Sequence, residues 1–191
     1  MVTTRQRSGA GPEPRAKLTY EDYMKTSDDE RWELIDGELI QMPSPTVPHQ
    51  RLIVLTGTKL VIFVMERSMG EVFYAPIDVV LDETVVVQPD LVFVSNERIH
   101  IVEHLNIQGA PDLVVEIRSP STARHDEVTK RALYERYGVP EYWLADPEAQ
   151  TITVLLLGGN GYEVAGMYNK GDTLTSPTLK GFSLNLDEIF V

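Results

Sequence analysis

The stretch Pro111-Asp-Leu-Val-Val-Glu-Ile-Arg118 follows the turn signal Gly109-Ala110 and carries a short apolar run. Leu113–Ile117 is almost continuously apolar, which is typical of a strand whose two faces are both covered. Glu116 interrupts the end of that run, so its carboxylate needs a charged partner in a partly buried setting. The stretch therefore predicts a central strand that carries one functional acid.

Around this strand, hydrophobic periodicity and turn residues predict alternating helices and strands. Asp36-Gly37 is a strong signal for the turn of a hairpin over residues 32–42. Gly138 is placed to end the third helix. The predicted helices cover residues 18–27, 49–67 and 122–137, and the predicted strands cover residues 71–75, 78–81, 85–94, 142–145, 151–157 and 162–167, with residues 95–108 irregular. This order predicts an α/β fold with a mixed β-sheet flanked by α-helices.

Length and composition predict a single globular domain over residues 18–191, because 191 residues with 42% apolar content can bury one substantial core. Residues 1–17 are rich in Arg, Gly, Pro and Thr, and we expect a disordered tail, either native or left by cloning. Cysteine is absent, which excludes disulfides and thiolate metal sites and favours a cytoplasmic setting. The longest apolar stretch, residues 52–65, is too short and broken to span a membrane.

The formal net charge of −12 bears on the choice of ligand. Residues 1–17 have a balance of +3, so the other 174 residues, with 13 basic and 28 acidic side chains, have a balance of −15. Domains that grip nucleic acid over a broad surface are usually basic. The chain therefore contacts few phosphates, uses a local basic patch, or binds another ligand. The best candidate patch lies within residues 116–136 and comprises Arg118, Arg124, Lys130, Arg131 and Arg136.

Two acids stand where a divalent cation would need them. Asp90 leads the strand-like run after Gln88-Pro89, and Glu116 ends the central strand. Carboxylate oxygens are hard ligands that suit Mg²⁺ or Mn²⁺, and Mg²⁺ commonly takes one or two carboxylates plus waters and phosphate oxygens. The alternative is that these are two unrelated acids at strand ends.

Lys130 follows Glu116 by fourteen residues on the next predicted helix. Its ammonium is suited to stabilise an attacking or leaving oxygen, or to orient a water. The alternative is a surface pair with Asp126, four residues earlier on the same helical face.

Four further polar residues are weaker candidates for the same site. Glu33 and Glu38 bracket the hairpin turn and can each supply another carboxylate, or they are ordinary polar hairpin residues. His49 stands at a helix start and Asp78 at a strand start, where capping and surface roles are common.

Taken together and in order, these motifs resemble one known family. The segments are Trp32-Glu-Leu-Ile-Asp-Gly-Glu-Leu-Ile-Gln-Met-Pro-Ser-Pro45 with His49, Gln88-Pro-Asp90, Ala110-Pro-Asp-Leu-Val-Val-Glu-Ile-Arg-Ser-Pro-Ser121, Lys130 with Tyr134, Gly138-Val-Pro-Glu-Tyr-Trp143 and Asp146-Pro147. They resemble the putative restriction endonuclease family, once catalogued as a domain of unknown function, of the PD-(D/E)XK nuclease superfamily. The resemblance runs from about Tyr20 to Phe190.

The resemblance implies a restriction-endonuclease-like core and assigns roles to individual residues. Asp90 matches the motif aspartate, Glu116 the second acid, and Ile117 would offer its main-chain carbonyl to the metal. Arg118 occupies the position of the motif lysine, so the resemblance moves the lysine role to Lys130. Glu33 matches the acid that the N-terminal segment brings to the site.

The predicted function is therefore metal-dependent endonucleolytic hydrolysis of DNA with Mg²⁺ or Mn²⁺. By analogy with nucleases that cut two strands, we expect a homodimer. Two alternatives stay open: a nuclease-fold binding or regulatory module, which Arg118 and the acidic surface favour, and a hydrolase of small nucleotides or RNA. A two-carboxylate glycosidase is disfavoured because no aromatic-lined sugar cleft is evident.

Overall fold

A computed structural model describes residues 16–27, 30–119 and 125–191, with the side chains of residues 125–127 excepted. Most of the predicted N-terminal tail lies outside these residues. So do Arg124, the start of the third predicted helix and the side chain of Asp126.

Three helical regions agree with the predicted positions, although their bounds differ. Helix α1 spans only Tyr20–Tyr23 and begins after Thr19, whose N–H donates to Asp22 Oδ2 at 3.1 Å. Helix α2, Val47–Glu66, begins after Thr46, whose Oγ1 accepts from the His49 N–H. A π-helical turn, His125–Lys130, runs directly into α3, Arg131–Tyr137, which ends at Gly138 in the left-handed conformation with φ 80°. Across the described ranges, no helix is both long and apolar enough to cross a bilayer.

Thirteen strands within the described residues form two large mixed sheets and a hairpin. The six-stranded sheet has the order β11 (Gly161–Asn169), β10 (Thr151–Gly158), β9 (Glu141–Asp146), β8 (Leu113–Ile117), β6 (Leu91–Ser95) and β3 (Gly70–Tyr74). The five-stranded sheet has the order β2 (Glu38–Gln41), β1 (Trp32–Ile35), β5 (Val85–Val87), β4 (Asp78–Asp82) and β7 (Asn106–Gln108). The hairpin pairs β12 (Thr173–Thr175) with β13 (Ser183–Asn185), and short 3₁₀ turns occupy Ile99–Ile101 and Leu186–Glu188. The predicted mixed α/β class is confirmed.

The prediction of one strand over residues 85–94 is wrong. Val85–Val87 belongs to the five-stranded sheet and Leu91–Ser95 to the six-stranded sheet. Pro89 has no N–H to give to a ladder, so the strand breaks there and the chain crosses from one sheet to the other. Asp90 therefore lies at the junction of the two sheets, just before β6.

The prediction of an irregular segment over residues 95–108 is also partly wrong. Asn106–Gln108 forms β7, which pairs in parallel with β4. Its two end residues, Asn106 and Gln108, are polar, so the sequence shows no apolar run that predicts a strand. In the structure, Asn106 donates to Tyr20 Oη and Gln108 donates to Asn106 Oδ1.

The prediction of a buried central β8 is confirmed. It pairs antiparallel with β6 and parallel with β9. Leu113, Val115 and Ile117 face the core beneath α2, whereas Val114 faces a second core that includes Tyr134. Because side chains alternate along a strand, Glu116 lies on the face of Val114 and meets the second core.

Two local features hold the hairpin and α2 in place. The β1–β2 turn has positive φ at Asp36 (51°) and Gly37 (85°), as a two-residue hairpin turn requires. Gly57 lets the Tyr74 ring of β3 lie directly against α2, where any added Cβ would collide with that ring.

Candidate active site

The register of two neighbouring strands brings the predicted acids together. In the antiparallel β6–β8 pair, Leu91 is opposite Val115. Continuing this register by one residue sets Asp90 opposite Glu116, where facing side chains have Cβ atoms about 4.5–5.5 Å apart. Two like charges so placed repel each other unless a cation lies between them.

Asp90 is 5% exposed and held by two neighbours through one oxygen. Its Oδ2 accepts the Ile117 N–H at 2.8 Å and lies 3.2 Å from His49 Nε2 in the first turn of α2. Its Oδ1 makes no hydrogen bond to the part of the chain that the structure describes. The carboxylate is thus fixed at one oxygen and available at the other.

Glu116 and Glu33 share the ammonium of Lys130. Lys130 Nζ lies 2.9 Å from Glu116 Oε1 and 2.8 Å from Glu33 Oε1, and the lysine is 1% exposed. The Gln88 main-chain N–H also donates to Glu33 Oε1, at 2.9 Å. Since Glu33 comes from β1 and Glu116 from β8, this cluster joins the two sheets at the Gln88–Asp90 crossing.

Tyr134 completes the buried cluster from α3. Its hydroxyl donates to Glu116 Oε1 at 2.6 Å, and the residue is fully buried. Burial first, and then the charges of Glu116 and Glu33, raise the pKa of the Tyr134 hydroxyl well above its usual value. The phenol therefore stays protonated and keeps donating to Glu116 at physiological pH.

Of these side chains, Asp90, Glu116, His49 and Lys130 line a cavity of about 30 Å³. That is room for about one ion or water. The β2–α2 loop closes one side of it with residues 42–45. The remaining lining residues are Arg31, Gln88, Ile117 and Ser119.

The donor chemistry fits a hard divalent cation. The buried cluster contains the three carboxylates of Glu33, Asp90 and Glu116 and the ammonium of Lys130. Within the described residues, no three His, Asp or Glu side chains are spaced to enclose an ion. A site here would thus rest on two carboxylates, the Ile117 carbonyl and water, a donor set that suits Mg²⁺.

Three of the predicted supporting residues lie elsewhere. Glu38 is exposed at the start of β2, which is an edge strand of its sheet. Asp78 lies in a neighbouring cavity and bonds to Tyr23 and Gln88. Arg118, whose side chain is about one third exposed, forms an ion pair with Asp146 at the end of β9, and its N–H donates to the Ala145 carbonyl. Among the residues that the structure describes, Ile117 and Ser119 line the cavity of Asp90 and Glu116, whereas Arg118 between them does not.

The predicted basic patch is largely engaged within the protein. Lys130 is buried, and Arg136 forms an ion pair with Asp36 at 2.7 Å. Arg131 donates to the Tyr162 carbonyl at 3.4 Å. Among the described residues, the patch is thus not an open row of cations.

Sequence reasoning missed three residues of the site. Tyr134 had a usable signal, because it lies four residues after Lys130 on one helical face. Gln88 was part of a noted motif, but its main-chain bond to Glu33 depends on the pairing of β1 with β5. Arg31 carries no pattern that marks it.

The comparisons with known proteins agree with the fold. A family model described as "Uma2: Putative restriction endonuclease" matches residues 19–187. A solved structure described as a putative nuclease belonging to DUF820 from Anabaena variabilis aligns with a TM-score of 0.76 at 20% identity. The alignment covers 91% of this chain and 97% of that chain, and at this identity it shows a shared fold. No curated protein matches the chain. Because the family model spans most of its length, the chain belongs to the Uma2 family of putative restriction endonucleases.

Proposed function

We propose that the chain is a metal-dependent endonuclease that hydrolyses DNA phosphodiester bonds at the cavity between Asp90 and Glu116. The observation that carries the proposal is the pair of buried carboxylates, Asp90 and Glu116, that line one cavity of ion size. Membership of a restriction endonuclease family supports nucleic acid as the substrate.

Asp90, Glu116 and the Ile117 carbonyl would hold Mg²⁺ or Mn²⁺. Such an ion, when bound, lowers the pKa of a coordinated water and offsets negative charge on the phosphate. The protein keeps its acids in place beforehand: the Ile117 N–H and His49 fix Asp90, and Tyr134 fixes Glu116. These side chains would then move little during the reaction. Such placement of charged groups before the reaction is the main source of electrostatic catalysis.

Lys130 lines the cavity and places its positive charge 2.8 Å from Glu33 and 2.9 Å from Glu116. We assign it the role of stabilising the negative charge that develops on the phosphate, with Glu33 orienting it. Arg31 also lines the cavity and is suited to contact a phosphate oxygen. A local contact of this kind agrees with the charge of −12, because it requires no broad basic surface.

The test is nicking of supercoiled plasmid with Mg²⁺ or Mn²⁺. Asp90→Asn and Glu116→Gln should each lower the rate by at least about 100-fold. Glu71→Gln removes an exposed carboxylate on β3 and is the matched control with an unchanged rate. Nicking that persists in both site variants would reject the assignment.

The binding-module alternative has a specific observation in its favour. Arg118 stands at the motif lysine position and is engaged with Asp146. If the parent protein binds Mn²⁺ and DNA but does not nick plasmid, this alternative replaces the enzyme. The homodimer and the cytoplasmic setting stay predictions, and light scattering of the purified protein tests the dimer.

A further inference from the structure

A second and larger cavity adjoins the acidic one. Its volume is about 250 Å³, and it shares two walls, Arg31 and Gln88, with the cavity of Asp90 and Glu116. The other lining residues come from the α1 region, the start of β1 and the start of β4: Tyr23, Met24, Thr26, Ser27, Glu30, Trp32, Pro76 and Asp78.

Asp78 forms the polar wall of this second cavity. Its Oδ1 accepts from the Tyr23 hydroxyl at 2.7 Å and from Gln88 Nε2 at 2.9 Å. Its Oδ2 has no hydrogen-bond partner among residues 16–27, 30–119 and 125–191. The carboxylate is therefore held by one oxygen and presents the other to a ligand that can donate.

Arg31 stands between the two cavities. Its Nε donates to Gln88 Oε1 at 3.1 Å, which fixes the guanidinium against the side chain of Gln88, the other residue that both cavities share. A guanidinium has five N–H donors, so those not used by Gln88 can reach a phosphate oxygen. A ligand that combines a phosphate with a donor group next to it matches both walls.

The remaining walls and the size of the cavity fit one planar ring system. Trp32, Pro76 and Met24 supply apolar and aromatic surface on which a base can stack. Pockets for drug-sized ligands measure roughly 300–1,000 Å³. The value here lies just below that range, which suits a single base rather than a dinucleotide.

We propose that this cavity is a nucleobase subsite, which takes the unstacked base of the nucleotide next to the scissile phosphate. The proposal rests on the proposed function, because it places the phosphate in the acidic cavity and the base beside it. Unstacking costs least in single-stranded or distorted DNA, so such DNA is the preferred substrate.

The chemistry of Asp78 also predicts which bases bind. A carboxylate oxygen accepts from the amino groups of cytosine, adenine and guanine. Thymine has no amino group and presents carbonyl oxygens on either side of its single N–H, which a carboxylate repels. The subsite therefore discriminates against thymine.

The two tryptophans provide a direct assay by nuclear magnetic resonance of the ¹⁵N-labelled full chain. Trp32 lines the cavity, whereas Trp143 is fully buried and its Nε1 donates to Glu141. On titration with dCMP, dAMP or dGMP in the presence of Mg²⁺, the Trp32 indole N–H signal should shift saturably. The Trp143 signal should not shift, and dTMP should bind at least about fivefold more weakly.

Variants separate the subsite from general effects on folding. Asp78→Asn should weaken dCMP binding about tenfold. Thr26→Phe fills the cavity without removing any Asp78 hydrogen bond, and it should abolish the Trp32 shift. Glu71→Gln, with the same loss of charge on the exposed face of β3, should bind as the parent does. An unchanged Trp143 signal verifies that each variant is folded.

The outcomes distinguish this proposal from the proposed function. A Trp32 signal that does not move at millimolar nucleotide in the parent overturns the subsite, whether or not plasmid is nicked. Equal shifts with all four nucleotides, unchanged in Asp78→Asn, also overturn it. Selective shifts in a protein that does not nick plasmid support the subsite and reject the nuclease.

Discussion

Lys130 and Glu33 form an ion pair of 2.8 Å that ties the helical turn after β8 to the hairpin strand β1. Both side chains are almost completely buried. Because Lys130 also contacts Glu116 of β8, the cluster links the six-stranded sheet to the five-stranded sheet at the point where Asp90 and Glu116 meet. The ammonium of Lys130 thus links the two sheets and also places a positive charge beside the carboxylates of the candidate site.

We expect Lys130→Met to destabilise the fold strongly, because it leaves Glu33 and Glu116 buried without their shared cation. Removing one partner of a buried pair costs about 3–5 kcal/mol. Urea unfolding measures the change, and Glu33→Gln combined with Lys130→Met should cost less than the sum of the single changes.

The control for this prediction is Lys59→Met. Lys59 pairs with Glu188 at the surface, where both side chains are more than 40% exposed. Exposed pairs contribute about 0–1 kcal/mol. If Lys130→Met costs as little as Lys59→Met, the buried cluster is not a structural link.

His49 provides a prediction about metal affinity. Its Nε2 lies 3.2 Å from Asp90 Oδ2, so it orients the carboxylate without using Oδ1. Partners that orient a ligand typically contribute 10–100-fold to metal affinity. We expect His49→Ala to weaken Mn²⁺ binding by about that factor in calorimetry.

His100→Ala is the matched variant, because His100 is exposed on the 3₁₀ turn away from the cavity. It should leave the Mn²⁺ affinity at the parent value. Equal affinities in the parent and in His49→Ala would remove His49 from the site.

The arrangement of Asp90 and Glu116 was accessible from sequence, but only in part. The apolar run of β8 and the acid at its end predicted a buried central strand with a functional carboxylate, and the strand is confirmed. Asp90 was predicted to lead a strand-like run, and it directly precedes β6, but the predicted strand over residues 85–94 is divided at Pro89 between two sheets. Local hydrophobicity cannot reveal this change, because Val85–Val87 and Leu91–Ser95 are buried alike.

Glu33 and Glu38 illustrate what spacing cannot decide. Both flank the same turn and are chemically equivalent in the sequence. Glu33 is completely buried because β5 pairs with β1 beside it, whereas Glu38 belongs to the edge strand β2 and is exposed. The difference comes from strand order, which depends on contacts between distant parts of the chain. The resemblance to a family selected Glu33, and the residues alone did not.

A substitution at Arg118 tests whether Lys130 takes the role of the motif lysine. Its guanidinium pairs with Asp146, so a lysine at this position would also meet Asp146 rather than the acidic cavity. We expect Arg118→Lys to change the nicking rate by less than about tenfold, equivalent to about 1.4 kcal/mol. A large gain in rate would show instead that position 118 reaches the phosphate, and it would reassign the lysine role away from Lys130.

Tyr134 leads to a prediction on alkaline stability. Burial and the nearby carboxylates raise the pKa of its hydroxyl in the folded protein above the usual value of 10.0. The folded state therefore holds this proton more tightly than the unfolded state does. The stabilisation is fully present below pH 10 and is lost as the pH rises from 10 towards the folded pKa.

Tyr134→Phe removes this titration, so its unfolding free energy in urea should fall less steeply between pH 9.5 and 11 than that of the parent. At pH 8 the same substitution should cost about 1.5–3 kcal/mol, because the hydrogen bond to the charged Glu116 is lost. Identical slopes in the two proteins would mean that burial and the nearby carboxylates do not raise the pKa of the phenol in the folded protein, and the bond would then lose its assigned role in fixing Glu116.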